Sequence, residues 1–240
     1  MAQDQKLTGF IIKTQDLGEA DILLTFFSKE EGKVRVLAKS AKKMTSKLSG
    51  RLQPFAEIEL TLVGNTSLAK IIRVETIQQF PNLIVGQSQM HSVLVLQELV
   101  TRSLADGQIN EPLYELYQKS LRKLSSAPEE KIIIFVTEMF VQALLALGFA
   151  PQPLPEGVLD VQTKIFFSNQ TGKFTQEFSS SEEREISKES YDLYCQLYKI
   201  LTFDINHIDT VNARQLLEIL NNFTGYQIER ELKAVRYFLS

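Results

Sequence analysis

Tryptophan is absent from this 240-residue sequence, cysteine occurs once and histidine twice. The lone thiol, Cys195, cannot close an internal disulfide, and with two distant histidines it cannot complete the four-ligand set of a structural zinc site. A reducing compartment fits, and no cofactor or metal is expected. With 11 glycines and 7 prolines the chain is neither a fibrous repeat nor a low-complexity tract. The N-terminal MAQDQKLTGF lacks the basic-then-apolar pattern of a secretion signal. Also missing are G-x-x-x-x-G-K-[ST] and G-x-G-x-x-G phosphate cradles, a G-x-S-x-G elbow and an H-E-x-x-H zinc helix. An enzyme is therefore not expected.

Long apolar runs are scarce as well. The one that raises a membrane question, IIIFVTEMFVQALLALGF from Ile132 to Phe149, holds Glu138 and Gln142 near its middle and runs on into Gly-Phe-Ala-Pro at its end instead of a basic flank. It reads as a buried core helix and not as a membrane span.

Acidic residues are missing from one stretch above all. KVRVLAKSAKKMTSKLSGRLQPF, residues 33–55, carries Lys33, Arg35, Lys39, Lys42, Lys43, Lys47 and Arg51 without a carboxylate, in a chain of formal net charge -3. The first 80 residues hold twelve basic against nine acidic side chains, and the remainder fourteen against twenty.

What is present divides the chain in two. Residues 1–80 read as about five strands with short turns at Lys29-Glu30-Glu31-Gly32 and Gly64-Asn65, and VRVLAKS and EIELTLV alternate apolar with polar. Five such strands predict a small antiparallel barrel of OB type. SAKKMTSKLSG breaks the alternation and is expected to be a long, exposed, mobile connection. From residue 81 the apolar spacing becomes helical in QMHSVLVLQELVTRSL, EPLYELYQKSLRKLS, PEEKIIIFVTEMFVQALLALG and KESYDLYCQLYKILTF, with a further helix and a shorter terminal one in NARQLLEILNNFTGYQIERELKAVRYFL. Pro112 and Pro128 suit early helical positions, and Gly148 suits a stop. A proline-rich segment at about 151–180 interrupts the helices and continues as a hairpin, TKIFF and KFTQEF around Asn169-Gln170-Thr171-Gly172. The expected fold is α+β: an N-terminal OB-fold barrel over 1–80, then a mainly helical domain over 81–240 with a small hairpin insert.

Most chemical candidates have a plainer account. Asp204, His207 and Asp209 could ligate a metal, but a polar loop capping the next helix explains them. Asp16, Glu19 and Asp21 could serve a hydrolase, although a solvated turn is simpler. His91 suits a helix head. Cys195 lies at core-like spacing in YDLYCQLY and reads as an inert thiol. Tyr114, Tyr117, Tyr191, Tyr194 and Tyr198 read as helix-packing aromatics.

The basic run resists the plain account, because seven cations without neighbouring carboxylates repel one another unless an anion arrives. Lys33 and Arg35 alternate to one strand face, and the loop lysines continue from it. Such a stripe on a barrel suits the phosphates of nucleic acid, read with little sequence preference. Phe10, Phe26, Phe27 and Phe55 could add base stacking, with burial in the barrel core as the simpler reading. The alternative is a protein-interaction adaptor whose basic loop docks an acidic partner.

The same residues resemble the RecO family. GFIIKTQDLGEADILLTFFSKEEGKVRVLAKSAKKMTSKLSGRLQPF carries the likeness through Lys13-Thr14, Gly18-Glu19-Ala20-Asp21, Leu24-Thr25, Gly32-Lys33, Ala38-Lys39, Lys42-Lys43, Ser46-Lys47-Leu48 and Leu52-Gln53-Pro54-Phe55. It continues in Leu147-Gly148-Phe149-Ala150-Pro151 and in the closing LLEILNNFTGYQIERELKAVRYFL. The resemblance implies an OB domain followed by a helical domain. It implies a non-enzymatic mediator of recombinational DNA repair that binds single- and double-stranded DNA and anneals complementary strands. It further implies action with RecR to load RecA on DNA covered by single-stranded-DNA-binding protein (SSB), as a cytoplasmic, nucleoid-associated protein that is a monomer when free. Many members carry a zinc module with paired CxxC motifs, whereas this sequence has Gln152-Pro153-Leu154-Pro155-Glu156-Gly157 at the first of them. Zinc is not expected, and packing of Ile165, Phe166, Phe167 and Phe174 must hold the hairpin instead.

Overall fold

The computed structural model describes residues 4–48, 50–64, 68–159, 164–180, 183–199 and 208–240. Asn65, Thr163, Asp204 and His207 lie outside the described residues.

Five strands, β1 (Gln5–Leu17), β2 (Asp21–Ser28), β3 (Gly32–Ala38), β4 (Ala56–Val63) and β5 (Ala69–Gln79), close a barrel in the order β1-β2-β3-β5-β4. All neighbours are antiparallel except β3 and β5, which pair in parallel over only Val36↔Ala69 and Leu37↔Lys70. This is the OB arrangement that the alternating strand pattern predicts. Alternation also explains why the barrel contributes to two cores. Leu7, Ile11, Leu24, Phe26, Val36, Ile58, Leu60 and Val74 fill its interior. Phe10 and Phe27, cross-strand partners, point outward and pack on Tyr114 and Tyr117 of the helical part, with ring centroids 4.8 to 6.0 Å apart.

The helical part runs α1 (Asn82–Val85), α2 (Gln87–Ser103), α3 (Glu111–Ser125), α4 (Ile132–Leu147), α5 (Lys188–Tyr198), α6 (Thr210–Gln227) and α7 (Lys233–Leu239). Asn110 caps α3 by accepting from the Leu113 N–H at 2.9 Å, with Pro112 in the first turn. The apolar run forms α4, which ends at Gly148 in the left-handed conformation, φ 76°. Its polar members are satisfied internally: Glu138 pairs with Lys123, and Gln142 donates to the Leu197 carbonyl at 2.6 Å. Among the described residues no helix is long and apolar enough to cross a membrane.

The insert is larger than a hairpin. β6 (Ile165–Ser168) and β7 (Lys173–Thr175) pair as expected, and β8 (Glu183–Ile186) adds a third strand beside β6. Phe167 and Phe174 stack on each other and on Phe223, Tyr191 and Tyr194, so an aromatic cluster seats the sheet on α5 and α6. Ile165 is buried with them, while Phe166 is only partly covered.

Barrel and helices meet through satisfied polar groups as well as rings. The buried Glu57 carboxylate accepts from the Tyr114 hydroxyl at 3.2 Å and from Gln118 Nε2 at 2.8 and 2.9 Å. Gln97 Nε2 donates to the Ile11 carbonyl at 3.3 Å. Gly32 turns the β2–β3 hairpin with φ 66°, and a Cβ there would stand 1.9 Å from the Gln108 carbonyl oxygen in the α2–α3 connection. Only glycine permits both the turn and the approach.

Candidate nucleic-acid interface

Lys33 and Arg35 leave β3 on its outer face, as alternation requires, but the helical part covers one of them. Lys33 is 9% exposed; its Nζ donates to the Thr101 carbonyl at 2.9 Å and lies 3.4 Å from Asp106 Oδ1. Its own carbonyl accepts from the Gly107 N–H at 2.8 Å. Lys33 thus fastens the barrel to the end of α2 and is withdrawn from the surface stripe.

Arg35 stays exposed. Register places it opposite Thr25 on β2, which in turn faces Lys13 on β1. The next outward row is Gln15, Leu23, Leu37 and Lys70. With strands about 4.8 Å apart, Lys13, Arg35 and Lys70 form a triangle of cations on one sheet face. All three are exposed and have no carboxylate partner among the described residues. Lys13 and Lys70 were not legible in the acid-free run, because only strand pairing brings them to it.

SAKKMTSKLSG forms the long and largely exposed connection between β3 and β4 that its broken alternation predicts, and the chain from Ser40 to Phe55 is tied down at several points. Both bounding residues take left-handed backbone, Ser40 with φ 56° and Phe55 with φ 53°. Between them successive turns are closed by Lys43 N–H to Ser40 O, Ser46 N–H to Lys43 O, and Arg51 and Leu52 N–H to Leu48 O. Ala41 is fully buried, and Leu48 and Leu52 pack partly buried on the barrel core, so the segment lids the barrel with its apolar residues. Asp21 accepts from the Ser40 N–H at 2.6 Å, and Lys42 N–H donates to the Ala20 carbonyl at 3.0 Å, pinning the start of the segment to the β1–β2 turn.

With Ala41, Leu48 and Leu52 turned in, the lysines turn out. Lys39, Lys43 and Lys47 are exposed and lack a carboxylate partner among the described residues, and Met44 between them is fully exposed. Lys42 lies 2.6 Å from Asp16 Oδ2, the one direct acidic cover in this segment among the described residues. Arg51 is exposed but donates Nη1–H to the Val74 carbonyl at 3.0 Å, clasping the open edge of β5.

The aromatic candidates for stacking fall elsewhere. Phe26 lies inside the barrel, and Phe10, Phe27 and Phe55 lie in the interface with the helices. Asp16, Glu19 and Asp21 do not form a cluster of three potential metal ligands, nor does any other group of histidine, cysteine and carboxylates among the described residues. Asp209 caps α6 through the Val211 N–H at 3.0 Å. Burial pushes the Cys195 thiol above its ordinary range, which disfavours a thiolate nucleophile.

Residues 1–80 match the family described as Recombination protein O N terminal, and residues 89–236 match Recombination protein O C terminal. Similar curated proteins bear the name DNA repair protein RecO. The one from Gloeobacter violaceus is 30% identical over 147 residues, 61% of this chain and 56% of that protein. The one from Exiguobacterium is 29% identical over 173 residues, 71% of this chain and 68% of its own length. The one from Gloeothece citriformis is 28% identical over 208 residues, 82% and 73% of the two chains. The chain spans little more than half the length of the first of these relatives.

Proposed function

This chain belongs to the RecO family, and from that premise we propose that it acts in DNA repair by binding single- and double-stranded DNA through the outer face of the barrel and the lysine-bearing lid. The observation that carries the reading is the set of exposed cations without carboxylate partners among the described residues, Lys13, Arg35, Lys39, Lys43, Lys47 and Lys70, in a chain of net charge -3. Lys42 and Arg51 contribute from the margins of the same segment. Their role is phosphate contact and counterion release, with weak sequence preference. Neutralising two phosphate backbones at once while leaving base edges free would promote annealing without covalent chemistry. Within that scheme the protein anneals SSB-covered strands and, with RecR, loads RecA, in the cytoplasm.

The test is binding and annealing of complementary oligonucleotides across a salt series, with bare and SSB-coated strands. Binding that weakens steeply with salt, and that is lost when Arg35, Lys39, Lys43 and Lys47 are replaced together by Ala, is the expected result. Unchanged affinity in that variant would remove the surface from consideration. Binding of an acidic peptide without binding of DNA at moderate salt would favour an adaptor instead.

A further inference from the structure

A groove of about 530 Å³ lies between the barrel and the helical part, bounded by Ile12 and Lys13 of β1 and by residues of α2 and α7. Building on the proposed DNA-binding face, we propose that this groove takes an unstacked base of a single strand, held against the ring of Tyr237, with the flanking phosphates on Lys13 and Arg230.

Three observations converge on that ligand. Tyr237 is 68% exposed on α7, a helix anchored by the buried Val235, and Leu94 on α2 offers a second half-open apolar surface in the same groove. An exposed ring beside an apolar wall is a platform for a flat π-system. The charge around it is positive and available. Glu98, the one carboxylate among the lining residues, is engaged by Arg102 Nε at 2.7 Å and by the Ala234 N–H at 2.6 Å. Lys13 and Arg230 have no carboxylate partner among the described residues. Finally, Lys13 belongs to both places. It lines the groove and stands in the row with Thr25 and Arg35, about 10 Å from Arg35 across two strand spacings. A single strand following Lys70 and Arg35 across the sheet is thereby led into the groove.

Stacking on Tyr237 separates single strands from duplexes. In a duplex both faces of each base are already covered by neighbours, so a duplex uses only the phosphate contacts. Every base has a π-face, so the site tolerates sequence.

The experiment is fluorescence anisotropy with a labelled single strand, the matched duplex and an abasic strand of equal length, using the full chain and the variants Tyr237→Ala, Tyr237→Phe and Arg230→Ala. Tyr237→Ala should weaken single-strand binding by about five- to a hundredfold, leave duplex binding unchanged and make normal and abasic strands equivalent. Tyr237→Phe should restore the wild-type preference, and Arg230→Ala should weaken both ligands and flatten the salt dependence. Equal binding of normal and abasic strands by the wild type would overturn the proposal, as would a Tyr237→Ala variant that binds single strands normally. An acidic peptide whose binding Tyr237→Ala abolishes, with DNA binding intact, would also overturn it and assign the groove to a peptide. These outcomes are separable from failure of the outer face itself, which is read from the variant lacking Arg35, Lys39, Lys43 and Lys47.

Discussion

Lys33 and Arg35 leave β3 on the same face, two residues apart, and only Arg35 reaches solvent. Lys33 spends its charge on the Thr101 carbonyl and on Asp106, holding the helical part to the barrel. Replacing each by Ala should therefore give opposite phenotypes. Lys33→Ala should lower stability by about 1 to 3 kcal/mol, read by urea denaturation, while leaving the salt slope of DNA binding unaltered. Arg35→Ala should leave stability within about 0.5 kcal/mol of wild type and reduce the single-strand salt slope by about 0.7.

Asp16 shields Lys42. Asp16→Asn should release that lysine and raise DNA affinity at low salt, and Lys42→Ala should weaken binding less than Lys43→Ala does. Both comparisons are made by anisotropy at two ionic strengths. An affinity that drops in Asp16→Asn would show that the pair supports the lid and does not mask it.

Position 32 in the β2–β3 turn is closed to a side chain. Gly32→Ala should destabilise the protein by at least about 1 kcal/mol from the left-handed backbone alone, and by more because a Cβ meets the Gln108 carbonyl. Calorimetry should show the loss, and Gly18→Ala, at a turn with positive φ and open space around it, should show a smaller one.

The insert is seated by rings. Phe174→Ala should cost about 3 to 5 kcal/mol, because Phe174 touches Phe167, Tyr191 and Tyr194 together. Chelators should leave the melting temperature of the wild type unchanged.

Alkaline pH should unfold the molecule cooperatively. Burial raises the Tyr114, Tyr191 and Tyr194 hydroxyls well above the ordinary tyrosine value, and the Glu57 carboxylate adds to this at Tyr114. The unfolded chain releases these protons at about pH 10 and the folded chain does not. Above that pH the unfolded state binds fewer protons, so stability falls as pH rises. Tyrosinate absorbance of these side chains should appear together with loss of secondary structure.

Much of this architecture was legible in local patterns. The alternation of VRVLAKS and EIELTLV corresponds to β3 and β4, and the apolar spacing from Gln89 onward corresponds to the helices. Alternation assigns a face, however, and does not say what lies over that face, so Lys33 and Arg35 were indistinguishable until α2 was placed. The anchoring of the lid is not legible because its anchors, Ala41, Leu48 and Leu52, follow no strand or helix period and are outnumbered by lysine and serine. EREI, the third strand of the insert, is too short and too charged to announce itself. Lys13 and Lys70 lie outside the acid-free run, and only strand pairing brings them to the rows of Arg35 and Leu37, while Arg230 meets Lys13 through the groove.

The parallel join of β3 to β5 is two residue pairs long, and Arg51 bridges to the β5 edge just beyond it. A barrel closed by so short a seam has its least-supported rung there. In amide hydrogen exchange the β5 edge next to that seam should open before the β1–β4 and β4–β5 ladders do. A DNA phosphate that draws Arg51 off the Val74 carbonyl would loosen that edge, and one that holds the lid down would slow its exchange. The exchange rate of a handful of backbone protons thus reports which way the ligand pulls.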